Sequence, residues 1–137
     1  MPDCIFCQIA NGEQEAFKLI ENEHAVAFLD INPLTDGHTV VIPKKHYERL
    51  VDIPSNELAE LFKVVKTVNQ ALTSTLDAAG SNIGINDGKQ AGQAIPHLHA
   101  HIIPRYQGDG GGSFHSIVHM ETSEDFSSLQ EQIRDAL

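Results

Sequence analysis

Three histidines stand at alternate positions in the run His97-Leu98-His99-Ala100-His101-Ile102-Ile103. In a β-strand, successive side chains point to opposite faces. His97, His99 and His101 would then share one face, with Leu98, Ala100 and Ile102 on the other. Neighbouring rings on such a face lie about 7 Å apart, twice the strand rise, a spacing that serves several atoms of one polyanionic ligand. Flanking isoleucines and prolines mark the run as substantially buried, where three imidazoles need partners; on an exposed edge strand they would be no more than a polar face. Two chemistries fit the ladder. Alternate histidines ligate zinc, although a catalytic zinc asks for three protein ligands around one ion. A neutral imidazole is also a nucleophile. On phosphorus it forms a phosphoramidate intermediate, provided that the opposite ring nitrogen has an acceptor to hold the tautomer.

A second constellation is Cys4-Ile5-Phe6-Cys7. It reads in three ways: two small buried residues, a redox pair, or half of a zinc site. The redox reading needs a βαβ context, and none follows. The zinc reading needs two further ligands from elsewhere in the chain. His24 sits in a polar turn and reads as a solvated residue, while His115 and His119 follow a glycine loop and carry no assigned role.

These residues need elements to hold them. Phe17–Ile20 and Ala25–Asp30 are short apolar runs of strand type, parted by the polar turn Glu21-Asn22-Glu23. Asn32–Gly37 is a loop, and His38–Pro43 is rich in β-branched residues and reads as a strand. Leu58, Leu61, Phe62, Val65, Val68, Leu72 and Leu76 recur at spacings of three and four. That predicts one long helix, capped by Ser55 and ended by Gly80. Ser81–Asn86 and Pro96–Pro104 are strand candidates around the polar loop Asp87–Gln93, and Cys4–Ala10 is a short mixed segment. A weaker helix is expected over Glu124–Ala136, through Phe126, Leu129 and Ile133. Strands, one long helix, then strands without βαβ alternation imply an α+β fold with a mainly antiparallel sheet.

At 137 residues the chain reads as a single domain, residues 1–137, with the segment 106–137 the least constrained part. Such a length buries enough surface to fold without disulfides, and two cysteines do not make a disulfide scaffold. No apolar run approaches the ~20 residues that cross a bilayer, and the first residues lack the pattern of a signal peptide; a cytoplasmic protein with no membrane partner is expected. Nine Lys+Arg against nineteen Asp+Glu give a net charge of −10, which argues against nucleic acid as a partner. A small anionic ligand is not excluded, because imidazoles, amides and backbone N–H groups hold anions locally.

The histidine run resembles the histidine triad (HIT) signature, His-φ-His-φ-His-φ-φ with φ apolar. Cys4-Ile5-Phe6-Cys7, Phe28-Leu29-Asp30, Gly37-His38, Ile42-Pro43-Lys44-Lys45-His46 and Gly92-Gln93 extend the likeness, in the family's order, over residues 4–105. The chain is thereby similar to small prokaryotic-type HIT proteins, a group that includes nucleotide hydrolases and nucleotidyl transferases. The resemblance implies an antiparallel sheet of about five strands packed by the long helix.

It also implies roles. His99, the middle histidine, would attack the α-phosphorus and form a nucleotidyl-histidine that water opens to a nucleoside monophosphate. His101 and His38 would lie against the phosphate. Asn86, Gly92 and Gln93 fall where the family binds phosphate oxygens, Asp30 where it binds ribose hydroxyls, and Ile5, Phe6, Phe28 and Ile31 where it holds the base. Taken singly, Asn86 and Gln93 are ordinary loop residues, Asp30 a turn residue, and the apolar four core residues. In the family's galactose-phosphate uridylyltransferase branch, zinc is held at positions that match Cys4, Cys7, His46 and His97, a closed and hence structural set. One departure is Ala94, where many members carry a serine or threonine near the scissile bridge. Without that hydroxyl, a phosphate leaving group is favoured over an amine. The expected function is therefore hydrolysis of a (di)nucleoside polyphosphate at the α-phosphate. The alternatives are a phosphoramidate hydrolase and a nucleotide-binding regulatory protein with little turnover. Small HIT proteins commonly pair, so a homodimer is expected.

Overall fold

The computed structural model describes residues 3–137. Five strands, β1 (Lys18–Glu21), β2 (Ala25–Leu29), β3 (Thr39–Pro43), β4 (Gly80–Ile85) and β5 (Ala100–Arg105), form one antiparallel sheet in the order β1-β2-β3-β5-β4. Helices α1 (Ile5–Asn11), α2 (Ser55–Thr75) and α3 (Phe126–Asp135) complete the α+β fold. β2 and β3 are buried on both faces, which explains why they read as continuous apolar runs rather than as alternating ones.

On one face Leu61, Val64, Val65, Val68 and Leu72 of α2 pack with Ala25, Ala27, Val41, Ala100 and Ile102 of the sheet. On the other, Cys4, Phe6 and Ile9 pack with Val26, Phe28, Val40 and Ile42. α1 covers only part of that second face, which carries two hollows beside it. Val40 is the register partner of His101, so His101 emerges on the open face.

Several boundaries differ from the sequence expectation. Cys4–Ala10 is not merely a mixed segment: residues 5–11 form α1, whose first turn is capped when the Cys7 amide donates to Cys4 Sγ (3.4 Å). Pro54, not Ser55, occupies the cap of α2, and Ser55 is its first helical residue. The helix ends at Thr75 because Leu76 is extended (φ −103°, ψ 159°), and Gly80 opens β4 instead of closing the helix. Phe62 of the expected stripe lies at its rim, 40% exposed, while Val64 takes a buried place.

The largest correction concerns the ladder. Only His101 lies within β5, whereas residues 97–99 precede the strand. With Val41 opposite Ala100, the next rungs would bring Leu98 to Pro43, which has no N–H to donate. The Leu98 amide donates instead to the Tyr47 carbonyl (2.6 Å), and the Pro43 carbonyl is taken by the His97 ring (2.9 Å).

After β5, Arg105 clasps Asp109 with two 2.8 Å hydrogen bonds and closes the glycine loop. Residues 107–137 are exposed throughout, including the apolar stripe Phe126, Leu129 and Ile133 of α3, whose N-terminus is capped by Asp125.

Candidate active site

His97 and His99 are both buried and hold their protons on opposite ring nitrogens. His97 Nε2 donates to the Pro43 carbonyl (2.9 Å), which leaves Nδ1 a lone pair, 3.3 Å from Cys4 Sγ and 3.5 Å from Cys7 Sγ. His99 Nδ1 donates to the His97 carbonyl (2.7 Å), so its lone pair sits on Nε2. A carbonyl accepts and never donates, and each neutral ring has one N–H. Two backbone acceptors therefore decide the two tautomers. Burial lowers the pKa of His99, against the pull of the His97 carbonyl and Asp30, and keeps the ring neutral.

A second chain of partners orders His38 and His101. The Leu34 amide donates to His38 Nδ1 (3.1 Å), which places the His38 proton on Nε2. Nε2 lies 3.0 Å from His101 Nδ1 and 3.6 Å from Asp30 Oδ2. His38 thus donates to His101, whose own proton falls on Nε2. Burial, together with neighbouring His99 and His38, pushes His101 down to about 4, with Asp30 opposing. His38 is likewise lowered by burial. Asp30, His38 and His101 bring three donor atoms within 4.8 Å of one another. They do not suit a metal, because the Leu34 amide occupies Nδ1 and a metal on Nε2 would require His38 to lose its remaining proton.

The open face carries a pocket of about 440 Å3. Of the residues assigned to substrate, Ile5, Phe6, Phe28, Asp30, Ile31, Asn86 and Gly92 line it, together with His99 and His101. Phe6 stands edge-on to Phe28 (centroids 5.5 Å) and to His99 (5.1 Å), so the apolar wall runs directly into the histidines. Rings of His99 and His101 are 4.9 Å apart, closer than a flat ladder would hold them. Gly92 (φ 95°) takes a left-handed conformation that glycine adopts without strain, turning the loop beside Asn86.

Two of the expected site residues lie outside this pocket. The Gln93 side chain does not reach the pocket. Its Oε1 accepts from the Gly88 amide and its Nε2 donates to the Glu48 and Ile95 carbonyls, because the turn needs those backbone groups satisfied. His38 does not line this pocket; it touches Asp30 and His101, which do, and lines the adjoining hollow towards β4. Sequence reasoning missed the Leu34 amide and the Pro43 carbonyl. Neither carries a side-chain signal, since both act through the backbone. Ala94 does line the pocket that His99 also lines.

Behind Phe6 lies the cluster Cys4, Cys7, His46 and His97, whose ligand atoms all fall within 4.8 Å of one another. Cys7 Sγ is 3.2 Å from His46 Nδ1. Burial and the adjacent Cys4 sulfur push the Cys7 thiol up, a strain that a divalent cation would relieve by taking the thiolate. Two sulfurs and two imidazole nitrogens are the soft tetrahedral donor set of zinc, and the His97–Pro43 bond supplies the outer contact that fixes a ligand's tautomer. Cys4 and His97 are buried and Cys7 and His46 half-buried, and four protein ligands would leave no coordination position for substrate.

The HIT-domain family model matches residues 11–108. An uncharacterised HIT-like protein of Methanocaldococcus jannaschii is 53% identical over 107 residues, covering 78% of this chain and 82% of its own. The adenylylsulfatase HINT3 of Arabidopsis thaliana is 39% identical over 107 residues, 78% of this chain but 54% of that longer protein. Among solved structures, a histidine triad nucleotide-binding protein from Candida albicans superposes with a TM-score of 0.82 at 32% identity, covering 98% and 96% of the two chains. A zinc-bound histidine triad protein from Mycobacterium smegmatis gives 0.77 at 34% identity, covering 99% of both. The chain belongs to the HIT family, which includes nucleotide-binding proteins and hydrolases. Among the described residues, no helix is long and apolar enough to cross a membrane.

Proposed function

We propose that this protein is a nucleotide hydrolase that cleaves a (di)nucleoside polyphosphate at the α-phosphate and releases a nucleoside monophosphate. The observation that carries the reading is the His99 tautomer: a buried neutral ring, its Nδ1–H held by the His97 carbonyl at 2.7 Å, with Nε2 unprotonated at the end of an apolar slot.

The nucleoside enters that slot, its base among Ile5, Phe6, Phe28 and Ile31 and its ribose hydroxyls donating to Asp30. His99 Nε2 attacks the α-phosphorus. The P–N bond forms as the P–O bond to the leaving phosphate breaks, and that phosphate departs as an anion. Positive charge appearing on the His99 ring is met by the His97 carbonyl and, further off, by Asp30. His101 Nε2–H, fixed by His38, donates to a phosphate oxygen as charge develops there, and the loop around Asn86 and Gly92 supplies further donors. Water then attacks phosphorus, the P–N bond breaks, its electrons return to His99, and a proton leaves with solvent. His99 is the catalytic nucleophile; His38 is a positioning residue.

Cys4, Cys7, His46 and His97 would hold one zinc ion. It would tie α1 to the segment that carries His99 and take no part in the chemistry. Two reduced thiols suit a cytoplasmic setting. The reading takes residues 1–137 as one domain and the active form as a homodimer. Support for the dimer comes from β4, an edge strand, and from the uncovered apolar stripe of α3. Light scattering at micromolar concentration should give twice the chain mass.

A screen of dinucleoside polyphosphates, nucleoside phosphoramidates and adenylyl sulfate, with products identified, tests the function. Release of a nucleoside monophosphate is expected, with the polyphosphates cleaved best. Tight nucleotide binding with no product from any of them would favour a regulatory protein instead.

A further inference from the structure

The slot beside Phe6 is one of two hollows that meet at the histidines. A second cavity, of about 460 Å3, opens on the same sheet face towards β4 and shares Asn86 and His101 with the first. Its apolar lining includes Leu34, Ile85, Ile103, Phe114 and Ile117. Two of those residues, Phe114 and Ile117, come from the segment after β5 rather than from the sheet. Phe114 lies directly on β4: a Cβ placed on Gly84 would stand 2.8 Å from Phe114 Cζ, so the bare glycine makes room for the ring. Gly84 is in turn the register partner of His101. An aromatic face is thereby held one strand away from the histidine that contacts phosphate in the reading above.

The cavity also lacks a free charge to select an ionic ligand. Arg105 at its far end is clasped by both oxygens of Asp109 and donates to Asn82 as well, so cation and anion there satisfy each other. A sulfate or simple phosphate would leave a cavity this large mostly empty. A cationic side chain would find no unpaired carboxylate in it. An uncharged, planar group about the size of the one in the first hollow fits both the volume and the lining.

Building on the hydrolase reading, we propose that this second hollow holds the leaving half of the substrate, that this half ends in a second nucleoside, and that its base rests against Phe114. The polyphosphate then spans Asn86 and His101 between two nucleosides, and the enzyme distinguishes a dinucleoside polyphosphate from a nucleoside triphosphate by the ring of Phe114.

Calorimetry on zinc-replete protein with three ligands tests the idea: a nucleoside monophosphate, a methylene-bridged nucleoside triphosphate, and the methylene-bridged dinucleoside triphosphate of equal phosphate number. The wild type should hold the dinucleoside about tenfold tighter than the triphosphate, the scale of one base–aromatic stack. Phe114→Ala should shrink that gap to about threefold or less while monophosphate affinity stays constant. Phe114→Tyr should keep the gap. Gly84→Ala, which displaces the ring without deleting it, should behave like Phe114→Ala. An undiminished gap in Phe114→Ala, or a parallel loss of monophosphate affinity, would overturn the assignment. Monophosphate binding with no gain from the second nucleoside overturns the second hollow alone. A wild type that fails to bind the monophosphate overturns the nucleotide reading and this inference with it.

Discussion

His97 and His99 are the same residue type, two positions apart, equally withdrawn from solvent, and they face opposite tasks. His97 has its Nε2 proton on the Pro43 carbonyl and turns Nδ1 to two sulfurs. His99 has its Nδ1 proton on the His97 carbonyl and turns Nε2 to the pocket. Phe6 stands edge-on to both rings, at 5.8 and 5.1 Å, and separates the metal-type cluster from the open cleft. One backbone acceptor for each ring converts two chemically equal imidazoles into a ligand and a nucleophile. The lesson is that the partner of the far nitrogen, not the residue type, assigns the job.

The strongest way to break this contrast is to remove each ring in turn. His99→Ala should lower turnover by about 10³-fold or more, because the covalent route itself disappears, while zinc content and thermal midpoint stay near the wild type. His97→Ala should do the reverse first: lose the ~1 equivalent of zinc expected of a single closed site, and unfold at a clearly lower temperature. The Cys4→Ser, Cys7→Ser double variant should lose zinc in the same way. Elemental analysis, thermal melts and product assays on all three decide it. Full zinc in the double variant, or near-normal turnover in His99→Ala, would sink the division of labour.

A smaller effect sharpens the electrostatic side. His101 faces Asp30, His38 and His99 and sits at about 4 when folded, against ~6.5 in an unfolded chain. The folded state therefore binds fewer protons. The contribution of this group to stability is complete above pH 6.5 and is lost as pH falls towards 4. His38, also lowered by burial, adds in the same direction. The melting temperature should drop by roughly 5 °C or more across that window, and His101→Asn should flatten the slope. A variant with the wild-type slope would show that the histidines are not the groups that take up protons on unfolding.

The smallest effect concerns the leaving group. Ala94 lines the same cleft as His99 and offers no hydroxyl. An amine leaving group needs a proton in the transition state, and a phosphate largely does not. General-acid assistance is worth ~10²–10⁴-fold when well placed, and an unoptimised serine should recover only a fraction of it. Ala94→Ser should raise the ratio of phosphoramidate to polyphosphate turnover by less than about tenfold. A ratio that is unchanged or falls would mean that this hydroxyl does not separate the two substrate classes here.

Much of this arrangement was legible in the order of residues. The α+β class, the antiparallel sheet and the long helix followed from periodicity, because an apolar stripe at spacings of three and four has one stable use. The gathering of Cys4, Cys7, His46 and His97, now within 4.8 Å, followed from the family likeness. Residues 4–10 were not legible as a helix, since seven residues carry too little periodic signal. Nor was the end of the long helix, where Gly80 had the right residue type but Leu76 had already turned extended.

What the sequence determined by itself is therefore the inventory: three alternating histidines, a pair of thiols and the strand that carries His101, with the apolar slot implied only by the family likeness. Side-chain type and spacing are local properties, and a local pattern records them. The tertiary structure alone decided how the inventory is divided. It set His97 apart from the strand because Pro43 cannot donate to the ladder, turned Gln93 into a brace for its own loop, and brought Phe114 from the C-terminal segment onto Gly84. Each of these depends on a backbone carbonyl, an amide or an empty Cβ position contributed by a distant part of the chain. Such groups are common to nearly every residue, so no letter in the sequence marks which of them will be used.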